Sequence, residues 1–248
     1  MKENFLTFTQ GQMAYYVMND EGLPIVFLHG WGRSFADFVE IASNLSGYQV
    51  IGVDFLGFGK SSIPLTPLTI EDYTNHLKTL LKELQIESPI LVAHSFGGRV
   101  AIKYCAENPF TKLILVSSAG IKHNSIKRIY KIYRYKFLKK IYKVFAKQKY
   151  ENLIKNSGSK DYQNAFGVMK KTLSNVVNYS SKKDLKKIKG RVYLLWGIND
   201  SETKYQDALI MKKILKDATL IPFYESGHFC FFDEQRKFIN ELNKLLKE

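Results

Sequence analysis

Ser95, Asp200 and His228 are the residues whose types and positions could together do chemistry. Ser95 follows the apolar run Pro89-Ile90-Leu91-Val92-Ala93, which suits a buried strand. It precedes Val100-Ala101-Ile102-Lys103-Tyr104-Cys105-Ala106, whose apolar residues recur at helical spacing. A serine at such a strand-to-helix turn, with Ala93 two residues before it and Gly97 two after, sits on a tight, strained bend. That bend lifts the hydroxyl above the sheet and aims backbone N–H groups beside it. A serine hydroxyl is a poor nucleophile at neutral pH. It needs a base within hydrogen-bond reach, and the base needs an orienting carboxylate.

The elements that position these groups can be read in order. Asn4–Thr9 and Met13–Met18 read as an antiparallel hairpin around Gln10-Gly11-Gln12. Pro24–Leu28 is a buried strand ending in His29-Gly30-Trp31-Gly32. A helix is expected from about Ser34 to Leu45, then a strand at Tyr48–Val53 closing at Asp54. Thr69-Ile70-Glu71-Asp72 resembles a capping box that opens a helix to about Leu84. After the serine turn come a strand at Lys112–Val116, a long basic segment with an expected break at Asn156-Ser157-Gly158-Ser159, and a return to alternation. That return gives a strand at Arg191–Trp196, a helix at Glu202–Leu215, a strand at Ala218–Phe223 and a helix at Phe231–Leu246. Strands alternating with helices imply an α/β fold with a mostly parallel sheet covered on both faces. In such sheets, sites form beyond the carboxyl ends of strands. Asp200 lies four residues past Trp196, and His228 five past Phe223. Asp54 and Asp233 are rival acids; Asp54 precedes the serine and is read as structural, as are His29 and His94. Asp200 has a second reading as the N-cap of the helix that follows it.

The turn resembles the nucleophile elbow, Gly-x-Ser-x-Gly, of the α/β-hydrolase superfamily, with Ala93 in place of the first glycine. Trp196-Gly197-Ile198-Asn199-Asp200 and Ser226-Gly227-His228 resemble its acid and histidine loops, in its order of nucleophile, acid and histidine. The resemblance covers residues 3–120 and 186–248. It implies an eight-stranded, mostly parallel sheet with a helical lid inserted after the sixth strand. It also implies an oxyanion hole built from the amides of Phe96 and Trp31. Trp31, Phe96, Ile121 and Phe229 are the expected substrate-contacting residues. Relatives that open epoxides or remove halide carry Asp at the elbow, so Ser95 argues for acyl-enzyme chemistry. A carboxylesterase is the leading expectation. A carbon–carbon bond hydrolase or acyltransferase is the runner-up, and a slowly turning-over ligand receptor of the same fold is the alternative outside enzymes.

No cofactor is expected, because Gly57-x-Gly59 is too short and wrongly placed for a dinucleotide fingerprint. No metal is expected either, because the five histidines form no ligand cluster. The lack of a signal-peptide-like run and the two unpatterned cysteines, Cys105 and Cys230, lead us to expect a cytoplasmic protein. The net charge is +14, and residues 121–185 carry 17 Lys/Arg against 3 Asp/Glu, which accounts for all of it. This basic segment is the expected lid. Ile126, Ile129, Tyr130, Tyr133, Phe137, Ile141 and Val144 form one helical stripe in it. Ile132, Tyr135, Leu138 and Tyr142 fall among the basic residues Lys127, Arg128, Lys131, Arg134, Lys139, Lys140, Lys143 and Lys147. Three readings compete: a solvated basic face, docking of an acidic carrier protein, and contact with an anionic membrane surface. Size and the His-Gly-Trp-Gly loop resemble pimeloyl-carrier-protein methyl ester esterases, whose basic lids dock their carrier. Nucleic acid is not expected as a partner, since no binding motif is present.

Overall fold

Apolar runs through the central strands, flanked by helices with one apolar stripe, leave a two-faced sheet as the way to bury both sets. The computed structural model describes residues 1–19, 21–122, 126–155 and 159–248. In chain order the elements are β1 (Lys2–Phe8), β2 (Gly11–Met18), β3 (Leu23–Leu28), a 3₁₀ turn (Phe35–Phe38) running into α1 (Val39–Ser43), β4 (Tyr48–Val53), α2 (Ile70–Glu83), β5 (Ile90–His94), α3 (Phe96–Cys105) and β6 (Lys112–Val116). There follow α4 (Ile126–Phe145), α5 (Lys147–Lys155), α6 (Lys160–Asn164), α7 (Val168–Asn178) and α8 (Lys182–Leu185). The chain ends with β7 (Val192–Gly197), α9 (Tyr205–Ile214), β8 (Ala218–Phe223), α10 (Cys230–Asp233) and α11 (Gln235–Lys247).

The eight strands form one sheet in the order β1-β2-β4-β3-β5-β6-β7-β8. β1 and β2 pair antiparallel, as do β2 and β4, and all other pairs are parallel. Alternate residues of each central strand feed opposite cores. Leu91, Ala93, Leu113, Leu115 and Leu194 lie on the face covered by α2 and α3. Ile90, Val92, Ile114, Val116 and Leu195 lie on the face covered by α1 and α11. The chain leaves β3 toward β4 and leaves β5 toward β6, on opposite sides. Between the ends of β3 and β5 the loops therefore diverge and open a crevice.

The capping box of α2 forms as expected: Asp72 N–H donates to Thr69 Oγ1 at 3.2 Å, and Thr69 N–H to Asp72 Oδ2 at 2.7 Å. Other boundaries differ for identifiable reasons. The second hairpin strand starts at Gly11, two residues nearer the turn than expected, because Thr7 pairs with Gln12 and Phe8 with Gly11, while the first runs from Lys2 to Phe8 and stops one residue short of the expected Thr9. The expected helix at Ser34–Leu45 shortens to the 3₁₀ turn and α1, its start fixed by Phe35 N–H donating to Asp54 Oδ1 at 2.7 Å. α9 begins at Tyr205 because the N–H groups of Glu202 and Thr203 are already held by Asp200. The closing helix is broken at Glu234, whose carboxylate accepts from Glu225 N–H and Ser226 Oγ and so ties the helix to the histidine loop. The expected break at Asn156-Ser157-Gly158 lies outside the described residues, while Ser159 caps α6.

The segment between β6 and β7 is not uniform. α7 buries Met169, Thr172, Leu173 and Val176, and Leu68 is bound to it from both sides, by Thr172 Oγ1 at 3.1 Å and Asn175 Nδ2 at 3.1 Å. α4 instead has α5 as its main packing partner. The side chains of Ile126, Lys127, Arg128, Ile129, Lys131, Ile132, Lys143, Val144 and Lys147 lie outside the described set.

Candidate active site

Ser95 occupies the turn between β5 and α3 with φ 49° and ψ −110°, a left-handed conformation that an L-residue adopts only when its surroundings enforce it. Three backbone bonds do so. Ser95 N–H donates to Val116 O at 3.1 Å, and Ser95 O accepts from Gly98 N–H at 3.1 Å and Ala119 N–H at 3.0 Å. The two glycines after it are steric necessities. A Cβ on Gly97 would lie 2.5 Å from Leu28 O, and one on Gly98 1.9 Å from Ser118 Oγ. Ala93 is a fully buried strand residue with no positive φ, so the methyl group that replaces the usual first glycine needs no special conformation.

Asp200 and His228 come together from the loops after β7 and β8. Gly197 lets those loops touch, since a Cβ there would lie 2.0 Å from Gly227 O. Asp233 accepts from Gly227 N–H at 2.9 Å and braces the histidine loop from the other side. His228 Nδ1 lies 2.8 Å from Asp200 Oδ2, with both side chains buried. Asp200 is not the N-cap of α9, which is Lys204; it caps the turn before that helix. Oδ1 accepts from the N–H groups of Glu202 and Thr203 at 2.8 and 2.9 Å, as a cap does, while Oδ2 faces the histidine. Burial alone raises its affinity for a proton, but the hydrogen bonds and charge of His228, with the bonds from Thr203, outweigh this and hold the carboxyl below its ordinary range. Because a carboxylate only accepts, Nδ1 carries a proton, and in the neutral ring it is Nε2 that presents the lone pair.

Ser95 and His228 line one cleft of about 450 Å³. The Gly30–Trp31 loop crosses directly over the serine, where a Cβ on Gly30 would lie 3.4 Å from Ser95 Cβ. Phe96 N–H is among the first N–H groups of α3, which have no acceptor within the helix. Trp31, Phe58, Phe166, Met169 and Phe229 give the cleft apolar walls, and Arg33, Asp161 and Glu202 stand among them. Among the described residues, no group of three His, Cys, Asp or Glu side chains could hold a metal ion.

Two expected substrate-contacting side chains are elsewhere. Phe96 is buried in the core, with ring centroids 5.2 Å from Phe55 and 5.0 Å from Tyr73, and packs behind the cleft residue Trp31 at 5.6 Å without lining the cleft itself. Ile121 is buried in the same core and does not line the cleft. Helical and strand periodicity mark a side chain as buried but not which cavity it borders. Trp31 and Phe229 do line the cleft.

The sequence reading missed Thr203 and Glu202. The Thr203 hydroxyl lies 2.8 Å from Asp200 Oδ2 and 3.2 Å from His228 Nδ1. The Glu202 carboxylate stands 3.4 Å from His228 Nε2 at the mouth of the cleft. Their place two and three residues after a strand-end aspartate was the available signal. His94 donates from Nε2 to His228 O at 3.0 Å, which fixes its tautomer and supports the histidine loop from below. His29 does the same for the Gly30–Trp31 loop: Nδ1 donates to Gly30 O at 2.7 Å and Nε2 accepts from Phe55 N–H at 3.0 Å. Asp54 is held by Tyr16, Phe35 and Lys60, away from the cleft.

The comparisons with known proteins agree with this architecture. YisY, an AB hydrolase superfamily protein of Bacillus subtilis (strain 168), is 28% identical over 263 residues, covering 93% of this chain and 97% of its own. Lipase 3 of Moraxella sp. (strain TA144) is 26% identical over 251 residues, covering 90% of this chain and 78% of its own. An esterase from Exiguobacterium antarcticum superposes with a TM-score of 0.74 at 24% identity, covering 96% of each chain, which is a likeness of fold. The family model described as alpha/beta hydrolase fold matches residues 24–157, more than half of the sequence and the whole span from β3 through the serine turn. The chain therefore belongs to the alpha/beta hydrolase fold family.

Proposed function

We propose that the protein is a serine hydrolase of carboxylic esters, with Ser95 as nucleophile, His228 as base and Asp200 as orienting acid. The observation that carries this reading is the strained Ser95 sharing one cleft with His228, whose Nδ1 is fixed by the buried Asp200 at 2.8 Å. In this reading, Ser95 Oγ attacks the ester carbon and its proton passes to His228 Nε2. The tetrahedral oxyanion is held by the N–H groups of Trp31 and Phe96. Collapse breaks the bond to the alkoxy group, which leaves as the alcohol with the proton from Nε2. Water then gives its proton to Nε2 and attacks the acyl-enzyme, and the second collapse releases the carboxylic acid and restores Ser95.

The cleft volume and its aromatic walls favour small or medium apolar acyl groups. Residues 121–185 are proposed to act as the lid; Asp161, Asn164, Ala165, Phe166 and Met169 of that segment line the cleft. We also place the protein in the cytoplasm, which its two buried, unpaired cysteines support. Nitrophenyl esters of graded chain length provide the test. Ser95→Ala lowers turnover on the order of 10⁴-fold or more, because the three groups act as a unit, and abolishes labelling by a fluorophosphonate. Equal labelling of the variant would remove Ser95 from this role.

A further inference from the structure

The helix α4 holds eight Lys/Arg and no Asp/Glu. The structure turns its apolar stripe outward. Tyr130, Tyr133, Phe137, Ile141 and Phe145 are exposed, from 36% for Ile141 to 81% for Phe145. At 100° per residue they fall within an arc of about 120°, and at 1.5 Å per residue they extend about 22 Å along the helix. Tyr135, Leu138 and Tyr142 occupy another side and are half-buried. The helix thus has one apolar face used within the fold and a second, longer one left in water, a feature that marks an interaction surface. Arg134 and Lys140 are exposed within and beside the outer face, respectively.

We propose that the outer face of α4 docks on an anionic lipid bilayer, lying in the plane of the headgroups. Charge complementarity gives the sign of the partner: residues 121–185 carry the entire +14 excess. The aromatic stripe selects a bilayer over an acidic protein. A straight row of tyrosine and phenylalanine rings matches the headgroup–acyl boundary, where an apolar ring body and a polar edge are both satisfied. Long basic side chains flanking the row keep their charges among the lipid phosphates while their stems cover the rings. Among the described residues no helix is long and apolar enough to cross a membrane, so the contact is peripheral. This inference does not rest on the ester-hydrolase reading.

The test is co-sedimentation of the full chain with vesicles of phosphatidylcholine mixed with phosphatidylglycerol, against pure phosphatidylcholine vesicles. At low salt the bound fraction with anionic vesicles exceeds the control by about tenfold or more, and high salt abolishes the difference. The double variants Tyr133→Ser/Phe137→Ser and Arg134→Gln/Lys140→Gln each lose about tenfold in binding while their thermal melts match the wild type. As an independent readout, an environment-sensitive fluorophore on Phe145→Cys shifts to the blue with anionic vesicles; Cys105 and Cys230 are buried and stay unlabelled. Four results would overturn the proposal: no binding to anionic vesicles at low salt, undiminished binding of the aromatic variant, binding only to an acidic carrier protein, or a dimer that hides the stripe.

Discussion

At the scale of single residues, the site depends on which atom holds which proton. Asp200 Oδ2 accepts from Nδ1–H of His228, which leaves Nε2 free to take a proton from the cleft. Asn in place of Asp200 would keep its carbonyl on Glu202 and Thr203 and present an NH₂ group to Nδ1. That reverses the bond and favours the tautomer with its proton on Nε2, which cannot act as a base. Asp200→Asn accordingly lowers ester turnover on the order of 10³- to 10⁴-fold with the fold retained. Loss of activity in Asp54→Asn but not in Asp200→Asn would move the acid to the other strand end. Asp54 already bonds Tyr16, Phe35 and Lys60, so its expected defect is in stability.

At the scale of elements, the serine turn works because α3 starts against the end of β3 with no side chain between them. Gly97 N–H donates to His29 O at 3.1 Å, and a Cβ on Gly97 would lie 2.5 Å from Leu28 O and 2.7 Å from His29 O. Both obstacles are backbone and cannot rotate away. Gly97→Ala must push α3 off β3, at a cost of about 1–3 kcal/mol, more than the mild helix preference of alanine returns. Urea unfolding measures this cost, and turnover falls as the Phe96 N–H moves away from Ser95. Unchanged stability and activity in Gly97→Ala would show that the contact is not a constraint. The same elements explain why the closing helix breaks: Glu234 is needed at the histidine loop, so the chain kinks there instead of running on.

At the scale of the whole molecule, buried histidines couple stability to pH. Burial, with the nearby charge of His228 adding to it, pushes His94 down to about 3. Burial also lowers His29 and His76. In the unfolded chain each returns to about 6.5. Between these values the unfolded state binds protons that the native state refuses, so stability is full above about pH 6.5 and falls as pH drops. Each histidine contributes a slope of up to about 1.4 kcal/mol per pH unit. Urea midpoints fall from pH 7 to pH 5, and His94→Gln, whose amide can still donate to His228 O, flattens that fall. A midpoint constant across this range would contradict the assignment of neutral buried rings.

Strand and helix order, the two-faced burial of the sheet and the serine turn were legible in the sequence because each is a local or periodic property. Apolar runs of strand length, the Thr69–Asp72 cap and small residues around Ser95 carry their physical reasons within a few positions. The pairing of Asp200 with His228 could be anticipated from strand ends and chain order. Its 2.8 Å geometry is fixed by Gly197 giving way to Gly227 and by Asp233 bracing the loop. Which apolar side chains border the cleft was settled only in three dimensions: Phe96 and Ile121 went to the core, while Phe58, Phe166 and Met169, distant in sequence, took the walls. The same holds for α4. Its sequence shows one apolar stripe with Ile132, Tyr135, Leu138 and Tyr142 among the basic residues, and periodicity cannot tell which side meets the fold. Contact with the rest of the fold half-buried Tyr135, Leu138 and Tyr142 and left Tyr130, Tyr133 and Phe137 in water, because burial depends on what lies opposite a face, and that is a property of the folded chain.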